Sequence, residues 1–134
     1  MSEHEAMPLE LSQKLRIVSE AALDMKAEEP VLLDMRDVSS FADAFLIVSG
    51  RSDRHVRSVA EAVIDAIKKE GEEILGNEGL VDGRWVLIDS NDVVIHVFDP
   101  DAREHFDLER LWGDAPKIDL AADLGLSVEL AEPA

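Results

Sequence analysis

Two aspartates separated by one residue, Asp99 and Asp101, form a pattern that could hold a metal ion. Paired carboxylates of this kind bind magnesium in sites for phosphoryl or nucleotidyl transfer. Pro100, however, favours the first position of a helix, where a preceding aspartate accepts hydrogen bonds from the unpaired amides of the first turn. We therefore prefer helix capping, and we keep a nucleotidyltransferase-like enzyme that binds nucleotide or metal as the alternative.

Residues 49–52, with the sequence Ser-Gly-Arg-Ser, lie between a predicted strand and a predicted helix. Amides at the start of a helix can bind a phosphate group. The segment has one glycine, and neither G-x-G-x-x-G nor G-x-x-x-x-G-K-[ST] occurs in the chain. We expect Ser52 to cap the helix, with an anion pocket as the weaker interpretation.

Four histidines, His4, His55, His96 and His105, lack the spacing of zinc ligands, and cysteine is absent. The chain also has no nucleophile elbow of the serine hydrolase type. His96 lies within an apolar run, so we expect a buried, hydrogen-bonded ring rather than a catalytic base. We predict no metal, no cofactor and no enzymatic activity.

The chain carries 30 acidic and 13 basic residues, a formal net charge of −17 over 134 residues. Because the bases are not clustered, direct binding to a nucleic acid backbone is unfavourable. The acidic surface is either simply well solvated or steers the protein toward a basic protein partner. No apolar run reaches the ~20 residues of a membrane span, and the acidic first residues do not resemble a targeting peptide, so we expect a cytoplasmic protein.

Aromatic residues concentrate in one short span, although the chain has only two tryptophans, four phenylalanines and no tyrosine. Aromatic side chains are used both in cores and as anchors of interfaces. Trp85 opens a predicted strand, and Phe106 belongs to a predicted terminal helix, so the two could meet at a sheet edge and form an exposed patch. The expected acidic rim of this patch consists of Asp89, Asp92 and Glu109. By contrast, Val94, Val97, Phe98 and Trp112 are expected in the core.

Hydrophobic periodicity and turn signals predict the order helix, strand, strand, helix, strand, strand, helix. The first helix starts at Pro8, and the second follows Ser52 and stops at Gly71. Strands are predicted at 31–35, 44–48, 85–88 and 93–98, the last two as a hairpin, with short helical turns after Asp99. The order predicts an α/β (α+β) domain whose mixed sheet of four or five strands is flanked by helices.

The domain is predicted over residues 8–112, preceded by a flexible segment at 1–7. Residues 113–134 are acidic, and their leucines and valine alternate at period two without aromatic anchors. We therefore expect a mobile tail at 113–134 that only a partner would order. The alternating residues of this tail are Leu124, Leu126, Val128 and Leu130.

Three signatures in series, W-V-x-x-D at 85–89, D-V-x-x-H-x-F at 92–98 and L-E-x-L-W at 108–112, carry a family resemblance. Shorter matches at 24–27, 33–34, 42–43, 49–52, 78–79 and Arg103 extend it over about residues 9 to 112. With these motifs the chain resembles the ribosomal silencing factor family, also called Iojap-like. The resemblance implies a nucleotidyltransferase-like fold without a working active site.

The resemblance also implies a function and a partner. Members of this family bind the large ribosomal subunit through ribosomal protein L14 (uL14), block the small subunit sterically and repress translation under nutrient limitation. The resemblance assigns the contact with L14 to Trp85, Asp89 and Phe106, and it places Leu108 and Glu109 beside them. An aromatic pair ending in tyrosine is usual where this chain has His105 and Phe106, so the tyrosine hydroxyl is missing. A homodimer formed through the same patch remains a further hypothesis.

Overall fold

The computed structural model of the protein describes residues 9–126. The segment 1–7 that we predicted to be flexible, together with Val128 and Leu130, lies outside the described residues. The elements in chain order are α1 (Leu9–Asp24), β1 (Glu28–Asp34), β2 (Ala44–Ser49), α2 (Asp53–Lys69), β3 (Gly76–Glu78), β4 (Trp85–Ser90), β5 (Val93–Phe98), α3 (Pro100–Phe106), α4 (Leu108–Leu111) and β6 (Lys117–Ile118).

Six strands of the described chain form a single mixed sheet in the order β3-β4-β5-β2-β1-β6. The parallel strands β2 and β5 lie at the centre, and every residue of both is buried. All other neighbouring strands are antiparallel. Parallel neighbours need a long crossover, and the chain from β2 to β5 supplies it through α2. The fold class predicted from the sequence is confirmed.

The helices α1 and α2 cover one face of the sheet. Their apolar residues recur every three or four positions, so each helix presents one continuous stripe to the strands. Leu15 and Val18 of α1 and Val59 and Val63 of α2 are completely buried in this core. Ser52 caps α2 as predicted, because its hydroxyl accepts a hydrogen bond from the amide of His55 at 3.1 Å.

The shorter helices α3 and α4 belong to a second core cluster, on the opposite face. This cluster contains Leu33, Met35, Ala42, Phe45, Ile47, Val94, Phe98, Ala102, Leu108 and Ala115. The burial pattern of β4 separates the two faces, because Val86 and Ile88 are fully buried in the first core while Trp85 and Leu87 are half-buried against the second. The incomplete cover over β4 leaves room for a surface site.

The sheet has one more strand than the largest number predicted, and two of its six strands had no predicted counterpart. The strand β3 consists of Gly-Asn-Glu, is fully exposed and reads as a loop in sequence. The strand β6 has two residues and pairs with Leu32 and Leu33 of β1. Both are too short to carry a periodicity of their own.

The prediction of a mobile tail starting at residue 113 is wrong for residues up to 126. Ile118 lies in β6, and Leu120, Leu124 and Leu126 are 6–8% exposed and pack on the first core. The amide of Leu126 donates to the carbonyl of Leu120 at 2.9 Å, which closes this segment as a compact turn. Leu124 and Leu126, the two alternating leucines within the described residues, therefore face the core.

Candidate functional site

The rings of Trp85 and Phe106 meet at the surface, as the sequence led us to expect. Asp99 begins α3 by accepting a hydrogen bond from the amide of Ala102 at 2.7 Å, so the predicted helix cap is confirmed. The seven residues of α3 end at Phe106, whose ring centroid lies 4.6 Å from that of Trp85. Phe106 is 46% exposed and Trp85 is half-buried. We call these two residues the aromatic patch.

The aromatic patch rests on buried rings. Trp85 stacks on Phe98 with a centroid distance of 5.0 Å, and Phe98 is completely buried. The indole Nε1–H of Trp85 donates a hydrogen bond to Nδ1 of His96 at 3.1 Å. Burial lowers the pKa of His96 from 6.5 to about 4, because the charged ring would lose its hydration. His96 is therefore neutral near pH 7, and the predicted buried, hydrogen-bonded histidine is confirmed.

The proposed acidic rim divides between two sides of the sheet. Asp89 lies on the same face of β4 as Trp85, is half-buried and accepts a hydrogen bond from the amide of Asn91 at 3.0 Å. Asp92 instead pairs with the buried Lys14 of α1, with a distance of 2.6 Å between Nζ and Oδ1. The expectation that Asp92 rims the aromatic patch is therefore wrong, because the lysine holds its carboxylate toward the helical layer.

Leu108 and Glu109 lie in the α4 turn behind the aromatic patch. Leu108 is 8% exposed and belongs to the second core. Glu109 pairs with the buried Arg103 at 3.0 Å, and Arg103 also donates to the hydroxyl of Ser49 at 2.9 Å. Trp112, expected in the core, is half-buried against Phe45 at a centroid distance of 5.9 Å. In this structure Leu108 and Glu109 mainly hold α3 and α4 on the sheet.

An open cleft of about 700 Å³ runs beside the aromatic patch, between α3 and the loop before β4. Its lining includes the acidic residues Asp82, Asp101 and Glu104. Arg84 also lines the cleft, and its Nε lies 3.7 Å from a carboxylate oxygen of Asp99. Sequence reasoning missed Asp82 and Glu104 as neighbours of the patch, because no local motif links the loop to the helix.

Two of the amides that an anion pocket at residues 49–52 would use are already bonded. The amide of Gly50 donates to the carbonyl of Phe98 at 2.8 Å. The amide of Arg51 donates to Nδ1 of His55 at 2.9 Å. The acidic side chains that line the nearby cavity, Glu29, Glu104, Asp107 and Glu109, would repel a phosphate group. The phosphate interpretation is therefore unsupported.

The paired aspartates have separate roles. Asp99 is engaged as the cap of α3, and Asp101 is an exposed residue of its first turn. Across residues 9–126, no three histidine, aspartate or glutamate side chains stand close enough together to hold a metal ion. None of the helices in this range is both long and apolar enough to cross a membrane.

The fold and the site define a mixed α/β protein that carries a supported, partly exposed aromatic pair beside an acidic cleft, a pattern typical of modules that bind other macromolecules. Comparison with protein families identifies the kind of protein, because the family model described as "Ribosomal silencing factor during starvation" matches residues 8–133. The chain belongs to the ribosomal silencing factor family, a family of ribosome-associated regulators. The resemblance carried by the three signatures is thereby confirmed.

Individual relatives agree with this assignment. The ribosomal silencing factor of Bacillus subtilis is 43% identical over 113 residues, which cover 84% of this chain and 94% of the relative. A crystal structure of a protein from Bacillus halodurans is 40% identical, with a TM-score of 0.73 over 81% of this chain and 98% of the other. A protein from Chromobacterium violaceum is 33% identical, with a TM-score of 0.74 over 95% of this chain and 98% of the other. The similarity covers most of each chain.

Proposed function

We propose that this protein binds the large ribosomal subunit through ribosomal protein L14 (uL14) and sterically prevents the small subunit from joining, so that translation falls when nutrients are short. The observation that carries the proposal is the aromatic patch of Trp85 and Phe106, within a chain of the ribosomal silencing factor family. The proposed role is that of a docking inhibitor in the cytoplasm and not that of an enzyme.

The aromatic patch has the physical character of an interface anchor. Tryptophan ranks among the residues that contribute most to binding free energy, and it does so best when its ring is already held in place. Trp85 is held by ring contacts with Phe98 and Phe106 and by its hydrogen bond to His96. Because Phe106 has no hydroxyl, we expect the pair to contribute through shape and apolar area. An interface of standard size, about 800 Å² per partner, fits on one face of this domain.

The charge around the aromatic patch favours a protein partner over RNA. Asp82, Asp101 and Glu104 line the adjoining cleft, and the whole chain has a formal net charge of −17. Such a surface repels the phosphate backbone and attracts basic side chains. A basic ribosomal protein embedded in RNA is therefore a more favourable target than the RNA around it, and we propose no direct contact with nucleic acid.

The other proposed interface residues have different parts in this docking. Asp89 lies on the same face of β4 as Trp85, so we assign it a direct contact with the partner protein at the edge of the interface. Leu108 is buried and Glu109 pairs with Arg103, so both support the position of α3. Substituting either of these two residues is expected to act on binding through the fold.

Co-sedimentation with ribosomal subunits tests the proposal. The wild-type protein is expected to pellet with free large subunits and not with intact ribosomes, and to bind isolated L14 in a titration. Trp85→Ala and Phe106→Ala should both reduce the pelleted fraction while circular dichroism shows a folded protein. Met25→Ala removes an exposed apolar side chain elsewhere, directly after α1, and should pellet like the wild type. Unchanged pelleting of both patch variants would exclude the aromatic patch from the interface.

A homodimer that buries the aromatic patch is the competing arrangement. An isologous dimer would place the patch of one copy against the same patch of another and so compete with the ribosome. Light scattering of the free protein over a range of concentrations measures this directly. A dimer that Phe106→Ala dissociates, without any loss of large-subunit binding, would assign the patch to self-association instead.

A further inference from the structure

His96 is a polar ring at the centre of an otherwise apolar layer. It lies in the middle of β5, is 4% exposed and has Phe45 and Phe98 as ring neighbours at 4.8 and 6.1 Å. Its Nδ1 accepts the hydrogen bond from Trp85, so in the neutral ring the proton is on Nε2. Among residues 9–126, this Nε2 has no hydrogen-bond partner. His96 is therefore only half satisfied in a buried position.

An unsatisfied buried donor costs free energy, and an apolar side chain would avoid that cost. Ile47 and Leu87, the cross-strand partners of His96 on the two neighbouring strands, are both apolar. The one hydrogen bond that the structure gives the His96 ring ends on the indole of Trp85. The benefit of a histidine at this position therefore lies in what it does to Trp85.

The contacts of Trp85 show what that effect is. Stacking on Phe98 restrains the plane of the indole, but it leaves the ring free to slide or flip within that plane. The bond from Nε1 to His96 removes this freedom, because an indole has one donor and it must point at Nδ1. The Nε1 edge of the indole is thereby directed at the buried ring of His96. Phe106 then packs against a ring of defined orientation.

We propose that His96 is a positioning residue, which holds the indole of Trp85 in the orientation used for docking while itself making no contact with the partner. This inference rests on the proposed function, since it concerns the same aromatic patch. Its physical basis is that a side chain fixed before binding loses less conformational entropy when the complex forms.

Nuclear magnetic resonance of the indole protons tests the positioning itself. The chain has two tryptophans, so Trp112→Phe assigns the signal of Trp85. In His96→Leu, exchange of the Trp85 indole proton with solvent is expected to accelerate about tenfold, the equivalent of one lost hydrogen bond. His96→Asn should restore protection, because its amide oxygen takes the place of Nδ1. Ile95→Val, a core substitution on the opposite face of β5, should leave the exchange unchanged.

Binding to large subunits, measured on the same variants, tests the purpose of the positioning. His96→Leu is expected to weaken binding about three- to tenfold while its melting temperature equals or exceeds that of the wild type, with His96→Asn close to wild type in binding. Unchanged indole exchange in His96→Leu would overturn the positioning role. If Trp85→Ala weakens binding and His96→Leu does not, the link to docking is overturned. If Trp85→Ala itself binds normally, the proposed function fails, whereas the exchange experiment still reports on the bond.

Discussion

The ring centroids of Trp85 and Phe106 lie 4.6 Å apart, with an angle of 43° between the planes. Trp85 is the first residue of β4 and Phe106 the last residue of α3, so the pair joins the sheet to the helix that packs on it. A tilted ring pair at this distance is a favourable aromatic geometry. Phe106 is 46% exposed, so a partner can reach the ring pair.

The contact predicts that the two rings act as one unit in binding. Single alanine substitutions of Trp85 and Phe106 are each expected to reduce affinity for the large subunit by about 2 kcal/mol or more, the magnitude of a hot-spot residue. The double variant should lose less than the sum, with a coupling of about 0.5–1.5 kcal/mol. Binding titrations of the four proteins complete the cycle. Strict additivity would mean that the ring contact has no role in docking.

A second prediction concerns the buried pair of Arg103 and Glu109. Glu109→Ala leaves the guanidinium, 9% exposed, with Ser49 as its remaining described partner, so unfolding free energy should fall by about 1–3 kcal/mol. Urea denaturation followed by circular dichroism measures the loss. The double variant Arg103→Met, Glu109→Leu should regain part of the lost unfolding free energy, because it removes both buried charges together. A fully stable Glu109→Ala protein would contradict the structural role of this pair.

A third prediction concerns the dependence of stability on pH. Burial lowers the pKa of His96 to about 4, whereas in the unfolded chain it stays near 6.5. Between these two pH values the unfolded state binds more protons than the folded state. The contribution of His96 to the free energy of unfolding is therefore fully present above about pH 6.5 and is lost as the pH falls toward 4. From about pH 7 to about pH 5 the loss attributable to His96 is about 2 kcal/mol.

The comparison protein for this measurement is His96→Leu, which retains every carboxylate of the chain. Denaturation at both pH values separates the histidine from the many acidic groups, because only the difference in slope between the two proteins belongs to His96. Equal slopes would mean that His96 titrates in the folded protein as it does in the unfolded chain.

A fourth prediction concerns the segment after α4. Leu124 is 6% exposed and packs on the core formed with α1 and α2, so Leu124→Ala should lower the unfolding free energy by about 2–4 kcal/mol. The exposed neighbour Ala122, changed to Ser, should have little effect. Thermal melts of the two variants make the comparison. A wild-type melting temperature for Leu124→Ala would restore the interpretation of this segment as a mobile tail.

Sequence patterns predicted the elements well wherever the signal is local. The cap at Ser52 and the cap at Asp99 each depend on groups three residues apart, and the hairpin before Val93 depends on a turn at Asn91 with a φ of 71°. Apolar periodicity likewise identified the buried face of α2. The missed strands β3 and β6 are stabilised by pairing with β4 and β1, and their own residues carry no strand signal.

The candidate site likewise combines features that the sequence determined with features that only the tertiary structure decided. The sequence by itself determined that aromatic residues cluster between Trp85 and Trp112, that the chain is strongly acidic and that its motifs resemble one family. Only the tertiary structure decided that Asp92 turns toward Lys14, that Leu108 is buried and that His96 bonds to the indole of Trp85. These outcomes depend on which residues from distant parts of the chain compete for the same partner and the same space. Periodicity and motif spacing describe neighbours along the chain, so they carry no information about contacts between residues that are distant in sequence.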